Sequence, residues 1–370
     1  MKKLCVLFLL TFLIIPNSFG KNYKQFYFKI DGTINADTGT VYLNFYSEYI
    51  PNKTKELTAR VKNNKFTISG YIPEPQAVNI LLDDRYMSSD FIIEKGLQTI
   101  SINTDSTRKV PVVLNKTMIN EYPKYEAYFE KMQGMWSRFY QKEDSFNMLH
   151  NRQLPKAIKL NLDKEYSILC DLDNKTLLQY SQKSHIAFWR LIRTMNWGYE
   201  PIFDSIYNSF SSELKNGYAG RVLKIKLDNG RLLSVGKQYP LLQCVNRNNE
   251  KFSPTIFLKN KLTLLDFWYS GCGPCRAQFN SLKNLYTQFG NKGFEIVGIS
   301  VDRETDKKKW EDIIINEKLS WQHYWDMNGK EANRLSIRAF PTNFLIDNTG
   351  KIIAKNISVE ELEVLLSKSL

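Results

Sequence analysis

The sequence predicts a C-terminal α/β domain over residues 231–370, preceded by a small antiparallel β domain at 21–115 and a helical segment at 116–230. Changes in hydrophobic rhythm predict this. Apolar residues alternate with polar ones in short runs as far as Leu114, then recur every three or four positions from about Ile119 to Leu227. After Gly230 strand and helix patterns follow one another in turn. A chain of 370 residues that is 43% hydrophobic is too long for one ordinary core and apolar enough to pack in two or three.

The chain opens with Met1-Lys2-Lys3, an apolar run to Ile15, and Pro16-Asn-Ser-Phe-Gly20, the layout of a secretory leader with cleavage expected after Gly20. The run is shorter than the ~20 residues a spanning helix needs, and Pro16 closes it. Cys5 stands ahead of the run, where lipid attachment is not expected, and leaves with the leader. Cys170, Cys244, Cys272 and Cys275 remain, too few for a disulfide-stapled scaffold. The formal charge of +13 becomes +11 without Lys2 and Lys3. Lys307-Lys308-Lys309 is the one tight basic triplet, so a solvated basic surface is expected and a nucleic-acid partner is not.

In the β region Val41–Phe45 alternates, Leu57–Val61 and Phe66–Ser69 flank an Asn63-Asn64 turn, and Val78–Leu82, Phe91–Ile93 and Thr99–Ile102 follow. Helical spacing appears in Tyr122, Tyr125, Phe129, Met132 and Trp136, and again in Ile186, Phe188, Trp189 and Ile192; these stripes read as core-facing. Beyond Gly230 the pattern implies a largely parallel sheet with crossover helices. Leu262–Trp268 is a nearly continuous apolar strand. The helix after Cys275 turns Phe279, Leu282, Leu285 and Phe289 to one face before Gly290. A strand at 294–301, a charged helix at about 306–318 and a short helix at 331–336 come next. Pro341 precedes a strand at 343–347, the turn Asn348-Thr-Gly350 leads into 351–354, and Ser358 with Glu361 forms a capping box for the last helix. Trp321 and Tyr324 read as packing residues, and the three histidines form no constellation.

The pair Cys272-Gly-Pro-Cys275 between strand and helix carries the chemistry. Two sulfurs at this spacing can close a small ring, and the first lies beside the free N–H groups and positive dipole end of a helix, which stabilise a thiolate. Cys272 is therefore the expected nucleophile and Cys275 the resolving thiol. Pro274 costs no hydrogen bond at an early helical position. A zinc site would need two further ligands, and Cys170, Cys244, His150, His185 and His323 are scattered. No metal or cofactor is expected. Cys170 and Cys244 lie in apolar patterns and read as buried unreactive thiols in preference to a mutual disulfide.

Asp266-Phe-Trp-Tyr-Ser-Gly-Cys-Gly-Pro-Cys275 resembles the active-site signature of thioredoxin, and Phe340-Pro341-Thr342 resembles the loop that sets a cis-proline opposite the cysteines. With the Tyr239-Pro240 lead-in and the extra helix at about 306–318, the stretch from about Gly236 to Leu370 is most similar to the TlpA/ResA-like thioredoxins. The resemblance implies a thioredoxin-like fold, a redox role for Cys272 and Cys275, and a buried acid, Asp266, that assists deprotonation of Cys275. A carboxyl in an apolar strand should have a raised pKa, which suits proton exchange with a thiol. It further implies a substrate-binding surface of Pro341, Phe340, Trp268, Gly273 and Pro274, with Trp268 mainly supporting the turn. Gly271, Gln278 and Asn280 depart from the family pattern of tryptophan, glutamate and proline. The two preceding regions resemble N-terminal extensions of some exported members, without an activity attached.

The Gly-Pro dipeptide is that of reducing thioredoxins, near roughly −270 mV, against roughly −120 mV for strong oxidants. The expected function is an exported reductase of protein disulfides, recharged by a membrane electron-donor protein. An oxidase or isomerase is the alternative within the same chemistry. A peroxidase lacks its Pro/Thr-rich cysteine loop here, and a partner-binding module would leave the intact cysteines unexplained.

Overall fold

The computed structural model describes residues 23–370 except 52–55, 84, 106–111, 115–120 and 151–153, and the side chains of 112, 114 and 122–130 are also outside the description. The expected leader therefore lies outside the described residues, as do the Tyr122, Tyr125 and Phe129 side chains. The chain divides into two compact units, residues 1–119 and 120–370.

Among the described residues the first unit is one sheet of nine strands: β1 (Phe26–Ile34), β2 (Thr38–Phe45), β3 (Leu57–Lys62), β4 (Lys65–Ile72), β5 (Gln76–Leu82), β6 (Tyr86–Met87), β7 (Phe91–Ile93), β8 (Gly96–Ile102) and β9 (Val112–Leu114). Its order is β6-β5-β2-β3-β4-β1-β8-β9, with β7 on β5. Asn63 and Asn64 both take positive φ, the conformation a two-residue hairpin turn requires, so β3 runs straight back into β4. Alternation then buries Phe28 and Ile30 on β1, Phe66 and Ile68 on β4, and Val78 and Ile80 on β5. One pairing differs from the antiparallel expectation. β1 lies parallel to β8, because the chain returns to β1 through several intervening strands and not through a hairpin.

The second unit begins with α1 (Tyr122–Leu149) and α2 (Lys156–Tyr180), which bury Phe139 against Leu162 and Leu169. α3 (His185–Thr194) is capped by Ser184, whose hydroxyl accepts from Ala187 N, and it is buried nearly all round. α4 (Ile202–Ser209), α5 (Ser212–Asn216) and α6 (Tyr218–Arg231) complete the helical part.

After these come β10 (Val245–Asn246), α7 (Thr255–Lys259), β11 (Leu262–Trp268), α8 (Gly273–Ala277), α9 (Phe279–Phe289), β12 (Phe294–Ser300), α10 (Lys307–Asn316), β13 (Gln322–Trp325), α11 (Lys330–Arg334), β14 (Thr342–Asp347), β15 (Ile352–Lys355) and α12 (Val359–Ser369). The sheet order is β10-β13-β12-β11-β14-β15. This is the α/β thioredoxin-like fold, but the sheet is mixed where a largely parallel one was expected. β11, β12 and β13 are parallel, while β10, β14 and β15 pair antiparallel. The hairpin at 348–350 forces β15 to reverse against β14, and no crossover helix long enough for a parallel return precedes β14. The helix expected after Cys275 is interrupted at Gln278, giving α8 and α9. The four apolar residues on α9 are all buried, and the Ser358–Glu361 capping box is present.

Candidate active site

β11 is buried on both faces, so its side chains feed two cores. Leu262, Leu264 and Trp268 join the core that holds Cys272 and Cys275, while Leu265 and Phe267 join the opposite one. Strand alternation therefore turns Asp266 to the cysteine side. Beyond Trp268 the chain turns through Tyr269-Ser270-Gly271 and enters α8, with Cys272 at its N-cap in an extended conformation. Cys272 and Cys275 form a disulfide with Cα atoms 5.3 Å apart, and Cys272 Sγ accepts from Cys275 N at 3.1 Å. The first sulfur thus faces the free amides of the helix start, the environment that stabilises a thiolate once the pair is reduced.

The turn is held by a carboxylate that sequence reasoning missed. Asp302, just past β12, accepts from Ser270 N at 2.9 and 3.1 Å, from Ser270 Oγ at 2.6 Å and from Ser300 Oγ at 2.7 Å. Burial pushes its pKa up, and the donated hydrogen bonds oppose that shift. Hydrogen bonds to a buried carboxylate recover much of the solvation it loses, which is why it can serve as a fastener. The one signal available was a polar Ser300-x-Asp302 pair at the mouth of an apolar strand.

Asp266 is in a different situation. It is 3% exposed, its Oδ1 has no hydrogen-bond partner, and burial pushes its pKa up to about 7. Desolvation is the cause, with nothing to oppose it. Such a carboxyl is partly ionised near neutrality and can both take and return a proton.

Trp268 is 1% exposed and packs edge-on to Phe279, with its ring 5.2 Å from that neighbour and 6.1 Å from His323. This enclosure suits the turn-supporting role expected of Trp268. His323 is buried on β13, where burial pushes its pKa down to about 3. Gly298 makes room for it. A Cβ at that position would stand 2.6 Å from His323 Nδ1 and 3.1 Å from Trp268 Nε1.

Gly273 and Pro274 are exposed, and a Cβ on Gly273 would meet nothing within 4 Å. The Phe340–Pro341 bond is cis. Phe340 packs against the cysteine-bearing core and meets Tyr269 edge-to-face at 5.8 Å. Cys170 and Cys244 are not brought to this site. Both are free thiols, Cys244 buried and Cys170 half-buried, and desolvation pushes both pKa values up. Among the described residues no cluster of three metal-ligating side chains occurs.

Two family models match the chain, "AhpC/TSA family" over residues 235–355 and "Domain of unknown function (DUF4369)" over 28–122. A relative named thiol-disulfide oxidoreductase ResA, from Bacillus anthracis, is 29% identical over 139 residues, covering 37% of this chain and 79% of its own. The sporulation thiol-disulfide oxidoreductase A of Bacillus subtilis (strain 168) is 28% identical over 95 residues, covering 25% of this chain and 58% of its own. Among solved structures, a thiol-disulfide oxidoreductase from Bacteroides fragilis NCTC 9343 is 35% identical over 36% of this chain and 100% of its own, with a TM-score of 0.33. A thiol:disulfide interchange protein from Bacteroides sp. is 30% identical over 37% of this chain and 90% of its own, with a TM-score of 0.34.

Proposed function

From the premise that its C-terminal domain belongs to the thioredoxin-like thiol-disulfide oxidoreductases of the AhpC/TSA family, we propose that this chain is an exported reductase of protein disulfides. The observation that carries this reading is the buried carboxyl of Asp266, with a pKa of about 7, on the cysteine side of β11. In the reduced enzyme the Cys272 thiolate attacks one sulfur of a substrate disulfide. A mixed disulfide forms, and the second substrate sulfur leaves as a thiolate that takes a proton from water. Cys275 then gives its proton to the Asp266 carboxylate and attacks Cys272 Sγ. The remaining substrate sulfur leaves and is protonated in turn. The substrate has gained two electrons and two protons, and the Cys272–Cys275 disulfide has formed.

Phe340, Pro341, Gly273 and Pro274 form the surface that meets the substrate in this reading. A membrane electron-donor protein returns the pair to its dithiol form. The first 20 residues act as a cleaved leader. Residues 21–115 and 116–230 are a β domain and a helical region, and 231–370 carries the redox unit.

Cys275→Ser should accumulate a mixed disulfide between Cys272 and a protein substrate, seen as a thiol-sensitive adduct by mass spectrometry. Cys272→Ser should give none and should reduce insulin no faster than buffer. Adducts formed equally by both variants would contradict the assignment of roles.

A further inference from the structure

Residues of the helical region share a cavity with those that flank Phe340-Pro341. α3 runs into a short turn, Met195–Trp197, that ends on Gly198 at φ 116°, where a side chain would be strained. The turn is rigidly held. Ile186, Phe188, Leu191, Ile192 and Met195 behind it are all buried, and the Lys355 ammonium of β15 donates to the next carbonyl, Tyr199 O, at 2.7 Å. Yet Trp197 is 71% exposed. It lines one cavity with Arg338, Ala339 and Thr342, the residues on either side of Phe340-Pro341. An ordered tryptophan on a fixed scaffold offers a large apolar contact at small entropic cost, and such residues dominate binding at interfaces.

We propose that Trp197 extends the substrate-binding edge, so that the helical region selects polypeptide substrates presenting an apolar or aromatic side chain a few residues from their disulfide. This rests on the reductase reading above. Three observations favour a substrate polypeptide as the occupant. The exposed indole shares a cavity with Ala339 and Thr342, the residues that flank Phe340-Pro341 in the chain. That edge also carries the Tyr269–Phe340 aromatic pair. And the cavity beside it, lined by Arg338 among others, has a volume of about 20 Å³, too little for a lipid chain.

The test uses the mature full-length protein and its Trp197→Ala and Trp197→Phe variants. Steady-state reduction is measured with two substrates, a disulfide-linked peptide carrying phenylalanine near its cysteine, and oxidised glutathione. Trp197→Ala should raise KM for the peptide about tenfold, the usual cost of truncating a central tryptophan, leave kcat within about twofold, and leave glutathione disulfide reduction unchanged. Trp197→Phe should recover most of the loss. Equal effects on both substrates, or none on the peptide, would overturn the inference while the reductase reading stands. A variant that loses only self-association in sedimentation, with unchanged kinetics, would show a second copy on this face and overturn it too. Absence of exchange by the unsubstituted protein with either substrate would instead remove the reductase reading itself.

Discussion

The two sheets of this protein obey the same alternation but hold several of their carboxylates in opposite ways. In the β sheet of residues 26–114, Asp31 and Asp83 are at the surface. Asp31 is held below the usual carboxylate range by hydrogen bonds from Lys29 and Thr67, and Asp83 by the Thr40 amide and Arg85. In the C-terminal sheet, Asp266, Asp302 and Asp326 are buried, and burial pushes all three upward, Asp326 to about 6. A surface carboxylate gains partners without losing water, whereas a buried one loses water first and must be compensated. Asp302 is compensated by the two serines, and Asp326 by the amides of Glu331 and Ala332 at the start of α11. Asp266 Oδ1 is not. In the proposed mechanism this difference separates the structural carboxylates Asp302 and Asp326 from Asp266, the proton acceptor.

The largest departure should come from Asp266→Asn. Loss of a positioned proton acceptor should slow resolution of the mixed disulfide about a hundredfold near neutral pH, read by quench-flow thiol trapping, and should erase the inflection near pH 7 from the rate profile. The same variant carries a stability signature of opposite sign. The folded-state pKa of Asp266 is raised to about 7 from 3.8, so the wild-type fold loses stability as pH climbs between those values and carries the full cost of the buried charge above them. Asp266→Asn should therefore be more stable than wild type at pH 8, by up to about 4 kcal/mol at 1.36 kcal/mol per pH unit, and nearly equal to it at pH 4. Urea denaturation at the two pH values checks this, and a difference that does not change with pH would contradict the raised pKa.

A smaller effect is expected where the carboxylate is structural. Asp302→Ala strands the Ser270 amide and two hydroxyls, which should cost about 2–4 kcal/mol in urea denaturation and loosen the turn that carries Cys272. The smallest belongs to the other sheet. Asp31→Asn breaks an exposed pair with Lys29, 40–41% exposed on both sides, and should change stability by less than about 1 kcal/mol. An Asp31 effect as large as that of Asp302 would erase the contrast between the sheets.

The contrast also marks what a reader of the sequence could see. Elements with a local cause were legible: the Asn63-Asn64 hairpin, the apolar face of α9, the Ser358 capping box and the two cysteines at a helix start. Asp266 stood out through the resemblance to thioredoxin, with its place in an apolar strand in agreement. What was hidden depends on contacts between distant segments. β13 was not recognised because Gln322-His-Tyr-Trp325 has no apolar alternation of its own and becomes a strand only by pairing with β12 and β10. Asp302 was missed because its function lies in Ser270, thirty-two positions away. The parallel β1–β8 pairing and the mixed order of the C-terminal sheet are equally non-local.

The most direct test of the central claim is the equilibrium reduction potential of the Cys272–Cys275 pair in the mature protein, titrated against dithiothreitol or glutathione and read by thiol trapping. The account predicts a value near that of thioredoxin, roughly −270 mV. A value near roughly −120 mV would contradict it and make the protein an oxidase or isomerase.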